Sequence, residues 1–320
     1  GGTTKTIALV ADGEGHILGA GRGGNSNRTG PALEQGMQIV IGAAERALTQ
    51  AGREGAAVEI GVFGLAGADW PEDHVQRRHR LQQAGLAQRV IVKNDAFVGL
   101  RAGTQDPYGV VITAGTGCNA AAVAPDGREW HFGYYEDYGG GITLGREAVR
   151  AVLRAEDGRG QPTTLTASVL EALDYPTPEA LLRAQVAGGV SKTSVAGLCP
   201  LVFQAAQSGD AAAVHIIVKQ GVALAEYGTA LIRRFEMQHL AFDVVLSGSV
   251  FKGQGSLLTD TITQQVHCVA PHASIVRPRF EPAVGGLLLA YDALDIEITP
   301  QMLHNLARTA PDAAFFRTND

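Results

Sequence analysis

The chain has 320 residues, of which 45% are hydrophobic and 18% charged, and a formal net charge of −6. That length allows two globular domains with a sizeable core. The charge excludes a partner held by its phosphate backbone, because the densest basic run, Arg77-Arg78-His79-Arg80, reads as the exposed face of a helix.

In chain order, a Gly/Thr loop comes first, Gly2-Thr3-Thr4-Lys5-Thr6. It runs into the apolar stretch Ile7-Ala8-Leu9-Val10-Ala11 and a turn at Asp12-Gly13, so a β-hairpin is expected over 5–22. A loop of this kind normally joins two strands, so a strand is expected ahead of Gly1. A polar, glycine-bounded loop covers 23–30, and a helix over 31–51 follows from Ala, Ile and Leu at helical spacing. A strand over 58–65 enters Ala66-Gly67-Ala68-Asp69, and a polar helix spans 71–84. A short strand over 88–93 ends at Asn94-Asp95, and a further helix occupies 96–103. Alternating strands and helices of this kind indicate an α/β domain with its functional loops at the strand ends.

The second half repeats the opening in altered form. A strand over 109–113 leads into Gly115-Thr116-Gly117-Cys118-Asn119, then Ala120–Ala124, then a turn at Asp126-Gly127. Two Gly/Thr loops with the same downstream pattern can present backbone N–H groups and hydroxyls to one anion from opposite sides, although two ordinary hairpins would share that pattern. The segment 145–235 reads as mostly helical. A strand over 242–246 enters Ser247-Gly248-Ser249, followed by a helix (256–266), a strand (273–277) and an apolar helix (283–294). The tail, 301–320, contains an amphipathic segment able to fold back on the first domain. Domains are expected at 1–112 and 113–320, with hinges near 105–114 and after 294.

Asp95 is the leading candidate for chemistry. A carboxylate at the carboxyl end of a short strand can accept a proton from an alcohol attacking phosphorus, and it equally suits the N-cap of the next helix. Asp137, in a glycine-flanked acidic loop, reads as a ligand for sugar hydroxyls or as a solvated acid. Asn25 and Asn27 suit a polyol, and they suit a turn as well. Gly248-Ser249 would let a nucleoside approach the backbone. Gly285-Gly286 within an apolar helix implies close packing, nucleotide approach, or a helix that begins only near Leu287. Cys118, Cys199 and Cys268 form no CxxC pair, so a reducing compartment is expected; no 18-residue apolar run and no leader appears. The protein is expected to be soluble and cytoplasmic, with no nucleic acid or membrane as partner. No GxGxxG, Walker lysine loop, zinc-ligand spacing or G-x-S-x-G elbow occurs.

With these motifs in order along nearly the whole chain, the sequence resembles the BadF/BadG/BcrA/BcrD-type ATPase family. Gly1–Thr6 looks like the family's first phosphate loop and Thr113–Asn119 like its second. Gly24-Asn25-Ser26-Asn27 with Gly30 is similar to its substrate loop. Gly64–Asp69 with Pro71-Glu72-Asp73 follows another family motif, Asn94-Asp95-Ala96 its catalytic triplet, and Leu246–Phe251 its adenosine stretch. The resemblance implies an α/β fold of two RNase H-like domains of the actin-like ATPase type, with a helical insertion in the second. It implies ATP and Mg²⁺ as cofactors and phosphoryl transfer to a hydroxyl of a hexose or amino sugar, N-acetylglucosamine above all. Asp95 would be the base. Thr3, Thr4, Lys5, Gly115, Thr116, Gly117, Asn119, Gly248 and Ser249 would bind the nucleotide. Asn25, Asn27, Gly67, Asn94, Asp95 and Asp137 would bind the sugar, and a homodimer is expected.

Two departures stand out. The family's magnesium-holding Asp would precede Gly1, and Tyr138 replaces a family Glu beside Asp137. Two other functions share the fold: an activator ATPase holding an iron–sulfur cluster through cysteines, and a non-enzymatic nucleotide-dependent regulator. A zinc-bearing sugar kinase or repressor is excluded by the lack of a cysteine-rich loop.

Overall fold

The computed structural model describes residues 1–133 and 139–317. Thr6–Ala11 (β1) and Ile17–Gly23 (β2) form an antiparallel hairpin with Thr6 opposite Gly23. Its turn is fixed by Asp12, whose Oδ1 accepts the N–H groups of Glu14 and His16, both at 2.9 Å. Leu33–Ala51 (α1) packs across β2 and β1. Ile60–Leu65 (β3) and Arg89–Asn94 (β4) pair in parallel from Ile60↔Arg89 to Leu65↔Asn94, joined by Pro71–Gln83 (α2). Asp95–Arg101 (α3) follows without an intervening loop.

Gly109–Ala114 (β5), Cys118–Val123 (β6) and Glu129–His131 (β7) begin a second sheet. Six helices come next: Gly140–Glu156 (α4), Leu165–Leu173 (α5), Pro178–Val186 (α6), Lys192–Ala196 (α7), Cys199–Gln207 (α8) and Ala211–Arg234 (α9). Asp243–Ser247 (β8), Leu257–His267 (α10) and Ser274–Val276 (β9) complete the sheet in the order β7-β6-β5-β8-β9. β5, β8 and β9 run parallel; β6 runs against β5, and β7, antiparallel to β6, runs with the other three. Val110, Val111 and Ile112 of β5 are wholly buried, because α9 covers one face of the strand and α3 the other. Such a strand reads as a continuous apolar run rather than an alternating one.

Pro282–Ala293 (α11) and Pro300–Thr309 (α12) carry the chain back to the first half. α11 packs on α3 and β3, and α12 on β2. Asn305 Nδ2 donates to the Glu14 carbonyl at 2.8 Å, and the Ile17 N–H donates to Thr309 Oγ1 at 2.8 Å. Among the described residues, no single helix is long and apolar enough to cross a membrane.

The two halves share a plan. β1 and β2 match β6 and β7, and β3 and β4 match β8 and β9. In the second half β5 lies between β6 and β8 and bonds both. In the first half β1 and β3 belong to separate two-stranded sheets. Gly1 reaches β3 by hydrogen bonds, its nitrogen to the Gly64 carbonyl at 2.6 Å and its carbonyl from the Ala66 N–H at 2.9 Å, and α11 packs on both β1 and β3. A cavity of about 2010 Å³ is lined by residues of both halves, from β1 and β3 to the two Gly/Thr loops.

One expectation needs correction and two alternatives are decided. Arg77 does not belong to an exposed basic face: it is 2% exposed and pairs with Asp73 at 2.9 Å, one turn back on α2. The helix carrying Gly285-Gly286 begins at Pro282, not near Leu287. A side chain at Gly285 would collide with the Val98 carbonyl of α3, so close helix packing accounts for that glycine. Finally, Asp95 is not the N-cap of its helix. Asn94 is, with Oδ1 accepting the Ala96 N–H at 2.9 Å, and Asp95 is the first helical residue.

Candidate active site

The cleft between the halves is built from strand ends. The first Gly/Thr loop enters β1, and a hydrogen bond of Gly2 N–H to the Lys5 carbonyl folds it tightly. The Gly2 carbonyl in turn accepts the N–H of Ser26, which attaches the polar loop after β2 to this first loop. Asn27 Nδ2 donates to Thr3 Oγ1 at 3.3 Å, bringing Asn27 to the same wall. The second Gly/Thr loop is the β5–β6 turn. Its Gly115 and Thr116 carbonyls accept the N–H groups of Gly141 and Ile142, so the amino end of α4 is seated directly on the loop.

At the floor, Asn94 is 1% exposed and uses both ends of its amide. Its Nδ2 donates to Asp69 Oδ1 at 2.7 Å, and its Oδ1 accepts the Ala96 N–H and Asn119 Nδ2, the latter at 3.1 Å. Asp95 follows at the amino end of α3, where its carboxylate receives backbone N–H groups of Asp95 and Ala96. Burial nevertheless raises the Asp95 carboxyl above the ordinary range. The Asp69 charge adds to that shift. A carboxylate held in this state is a better proton acceptor than a solvated one. Across the cleft, partial burial lowers the Lys5 ammonium; Glu281 counteracts this, and Lys252 and Arg22 reinforce it. An anion placed between Lys5 and Lys252 would relieve that repulsion.

Of the residues expected from the sequence, Thr3, Thr4, Lys5, Asn27, Gly67, Asn94, Asp95, Gly115, Thr116, Gly117, Asn119, Gly248 and Ser249 all line this one cleft. Asn25 does not: its Oδ1 accepts the Asn27 N–H at 2.9 Å, so it shapes the turn. Asp137, with Tyr138, lies outside the described residues. Sequence reasoning missed Asp69 and Lys252, which line the same cleft. Asp69 lies inside the Gly64–Asp69 motif, where a lone loop acid carries no pattern of its own. Lys252 lies three residues past Ser249, on the short helical turn Ser249–Lys252.

Among the described residues, no group of three His, Cys, Asp or Glu side chains is placed to hold a metal ion. Burial pushes the Cys199 thiol up to about 11, which makes it a poor ligand donor at neutral pH. No disulfide forms.

The comparisons with known proteins agree with this geometry. The sequence model of the BadF/BadG/BcrA/BcrD ATPase family matches residues 1–290. The chain is 29% identical over 308 residues to an N-acetyl-D-glucosamine kinase of Dictyostelium discoideum, covering 92% of this chain and 96% of that protein. It is 26% identical over 237 residues to an N-acetylmuramic acid/N-acetylglucosamine kinase of Clostridium acetobutylicum, covering 73% and 77%. A crystal structure from Chromobacterium violaceum, described as a candidate N-acetylglucosamine kinase, superposes with a TM-score of 0.63 at 26% identity, covering 90% of this chain and 96% of that one. The mixed α/β fold is therefore of the sugar-kinase type.

Proposed function

The chain belongs to the BadF/BadG/BcrA/BcrD ATPase family, and on that footing we propose that it transfers the γ-phosphoryl group of ATP to a hydroxyl of N-acetylglucosamine or a closely related amino sugar. The observation that carries this reading is the convergence of both Gly/Thr loops and Asp95 on one cleft. Residues 1–112 and 113–320 act as the two actin-like domains, with α4 to α9 as the helical insertion of the second.

Thr3, Thr4, Lys5, Gly115, Thr116 and Gly117 hold the triphosphate, and Gly248-Ser249 lies under the nucleoside. The sugar sits over Asn94 and Asn27. Asp95 takes the proton as the sugar oxygen bonds to the γ-phosphorus; the bond from that phosphorus to the bridging oxygen breaks and ADP leaves. Positioning and electrostatic stabilisation supply most of the acceleration in reactions of this class. Closure of the two halves excludes water, so that the sugar rather than water is phosphorylated. A magnesium ion would enter with the nucleotide beside Thr3, Thr4 and Thr116 of the two loops, which matches its preference for phosphate and water ligands. It would neutralise charge on the transferring group.

The test is ADP release measured with N-acetylglucosamine, glucosamine, N-acetylmuramate and glucose in turn. Sugar-dependent turnover with at least one is expected; ADP release independent of every sugar would overturn the reading.

A further inference from the structure

Asp69 is a carboxylate of the cleft wall for which the phosphoryl transfer above has no use. It follows β3 at the end of the Gly67–Asp69 turn, and that turn is anchored from behind. Asp73 Oδ2 accepts the N–H groups of Asp69 and Trp70, at 3.3 and 3.0 Å, and the buried Arg77 holds Asp73. The Asp69 side chain is thus built in place, not free to swing on a mobile loop. Its Oδ1 takes the Asn94 amide at 2.7 Å, adjacent in sequence to Asp95. Gly133, from the other half of the molecule, closes over the pair: a Cβ there would meet Asp69 Oδ1 at 2.5 Å and Asn94 Nδ2 at 3.1 Å.

The charges facing Asp69 come from both halves. Burial raises its carboxyl above the ordinary range; His131 of β7, Arg77 and the Asn94 amide lower it, and Asp73 raises it. Asp69 in turn raises Asp95. Two carboxyls therefore share one cleft with a buried amide between them. Asn94 Nδ2 occupies one Asp69 oxygen, and a carboxylate has about four acceptor sites over its two oxygens. Acceptor sites without backbone donors in a polar cleft suit a polyol, whose hydroxyls donate.

We propose that Asp69 is a sugar-binding, specificity-determining residue that accepts a hydroxyl next to the one Asp95 deprotonates. The pair then reads neighbouring hydroxyls of the ring, Asp95 the reacting one and Asp69 a spectator. Gly133 and His131 reach Asp69 from the second half, so the spectator hydroxyl would be held where the two halves meet. This inference rests on the sugar-kinase reading and names part of its acceptor subsite.

The experiment uses Asp69→Asn in the full chain. Asn keeps an oxygen able to accept from Asn94 Nδ2 and removes the charge, so a purely structural role predicts little change. Sugar binding is followed by tryptophan fluorescence, Trp70 being the adjacent residue, and turnover by ADP release, with N-acetylglucosamine and its monodeoxy analogues. The expected result is a rise in the sugar KM and Kd of about 10- to 100-fold, the loss typical of a hydrogen bond to a charged group. ATP KM should stay within twofold. One deoxy analogue, poor for the wild type, should bind wild type and variant equally. A sugar Kd unchanged in the variant, or sugar and ATP constants raised together, overturns the assignment. Absence of any sugar response in the wild type overturns the kinase reading itself, so the two failures are distinguishable.

Discussion

Asn119 Nδ2 lies 3.1 Å from Asn94 Oδ1, so the strand leaving the second Gly/Thr loop bonds directly to the residue that caps the helix of the proposed base. One amide thereby links the proposed nucleotide side to the proposed sugar side. Asn119→Ala removes this link without touching the Asn94 cap. It is expected to lower kcat by about 10- to 100-fold through misplacement of Asp95, with far-ultraviolet circular dichroism unchanged. A variant with wild-type kcat would show that the link has no catalytic consequence.

Asp95→Asn is expected to lower kcat by about 10²- to 10⁴-fold while ATP still binds, because only the proton acceptor is lost. In the wild type, activity should fall as the pH drops through a value above the ordinary carboxylate range, since burial raises this group. The same shift fixes the sign for stability. The folded state holds the Asp95 proton more tightly than the unfolded state, so the side chain costs stability once the pH exceeds the unfolded value of about 4. Asp95→Asn should therefore melt higher than the wild type at pH 7, with the difference vanishing below about pH 4. Thermal melts across that range check it.

Arg101 is 5% exposed and ties α3 to α11 through a two-pronged pair with Asp292, Nε to Oδ2 at 2.7 Å and Nη2 to Oδ1 at 3.2 Å. Asp292→Ala leaves that guanidinium with carbonyl partners alone, Thr104 at 3.0 Å among them. A loss of about 3–5 kcal/mol is expected, measured by urea unfolding. Replacing both partners with apolar residues should cost less than replacing Asp292 alone.

The two adjacent glycines of α11 should respond in opposite ways. Gly285→Ala forces α11 off α3 and is expected to cost about 1–3 kcal/mol. At Gly286 the nearest atom to an added Cβ is the Val62 carbonyl at 3.8 Å. Gly286→Ala should therefore stabilise by about 0.5–1 kcal/mol, the usual gain in a helix interior. Paired melting curves decide between them.

The parts legible in the sequence were those with a local physical signature. Asp12-Gly13 and Asp126-Gly127 announced hairpins, the first through the Asp12 carboxylate and the second through Gly127 at φ 84°; in the first turn it is Gly15, not Gly13, that takes the left-handed conformation. Asn94-Asp95 marked a strand end because a polar pair abruptly stops the apolar run from Val90. The parts that were not legible depend on distant neighbours. Arg77 looks like its exposed neighbours Arg78 and His79, and only Asp73 and the turn above it draw it inward. Asn94 and Asp95 are both good caps, and the choice between them follows from the β4 geometry. Gly285 is explained by a carbonyl nearly two hundred positions earlier in the chain, at Val98.

The return of α12 to β2 bears on how the molecule opens. Asn305 and Thr309 fasten the last helix to the first hairpin through two bonds of 2.8 Å, so segments about 290 positions apart form one cooperative unit. Their amide hydrogens should exchange together rather than fray independently.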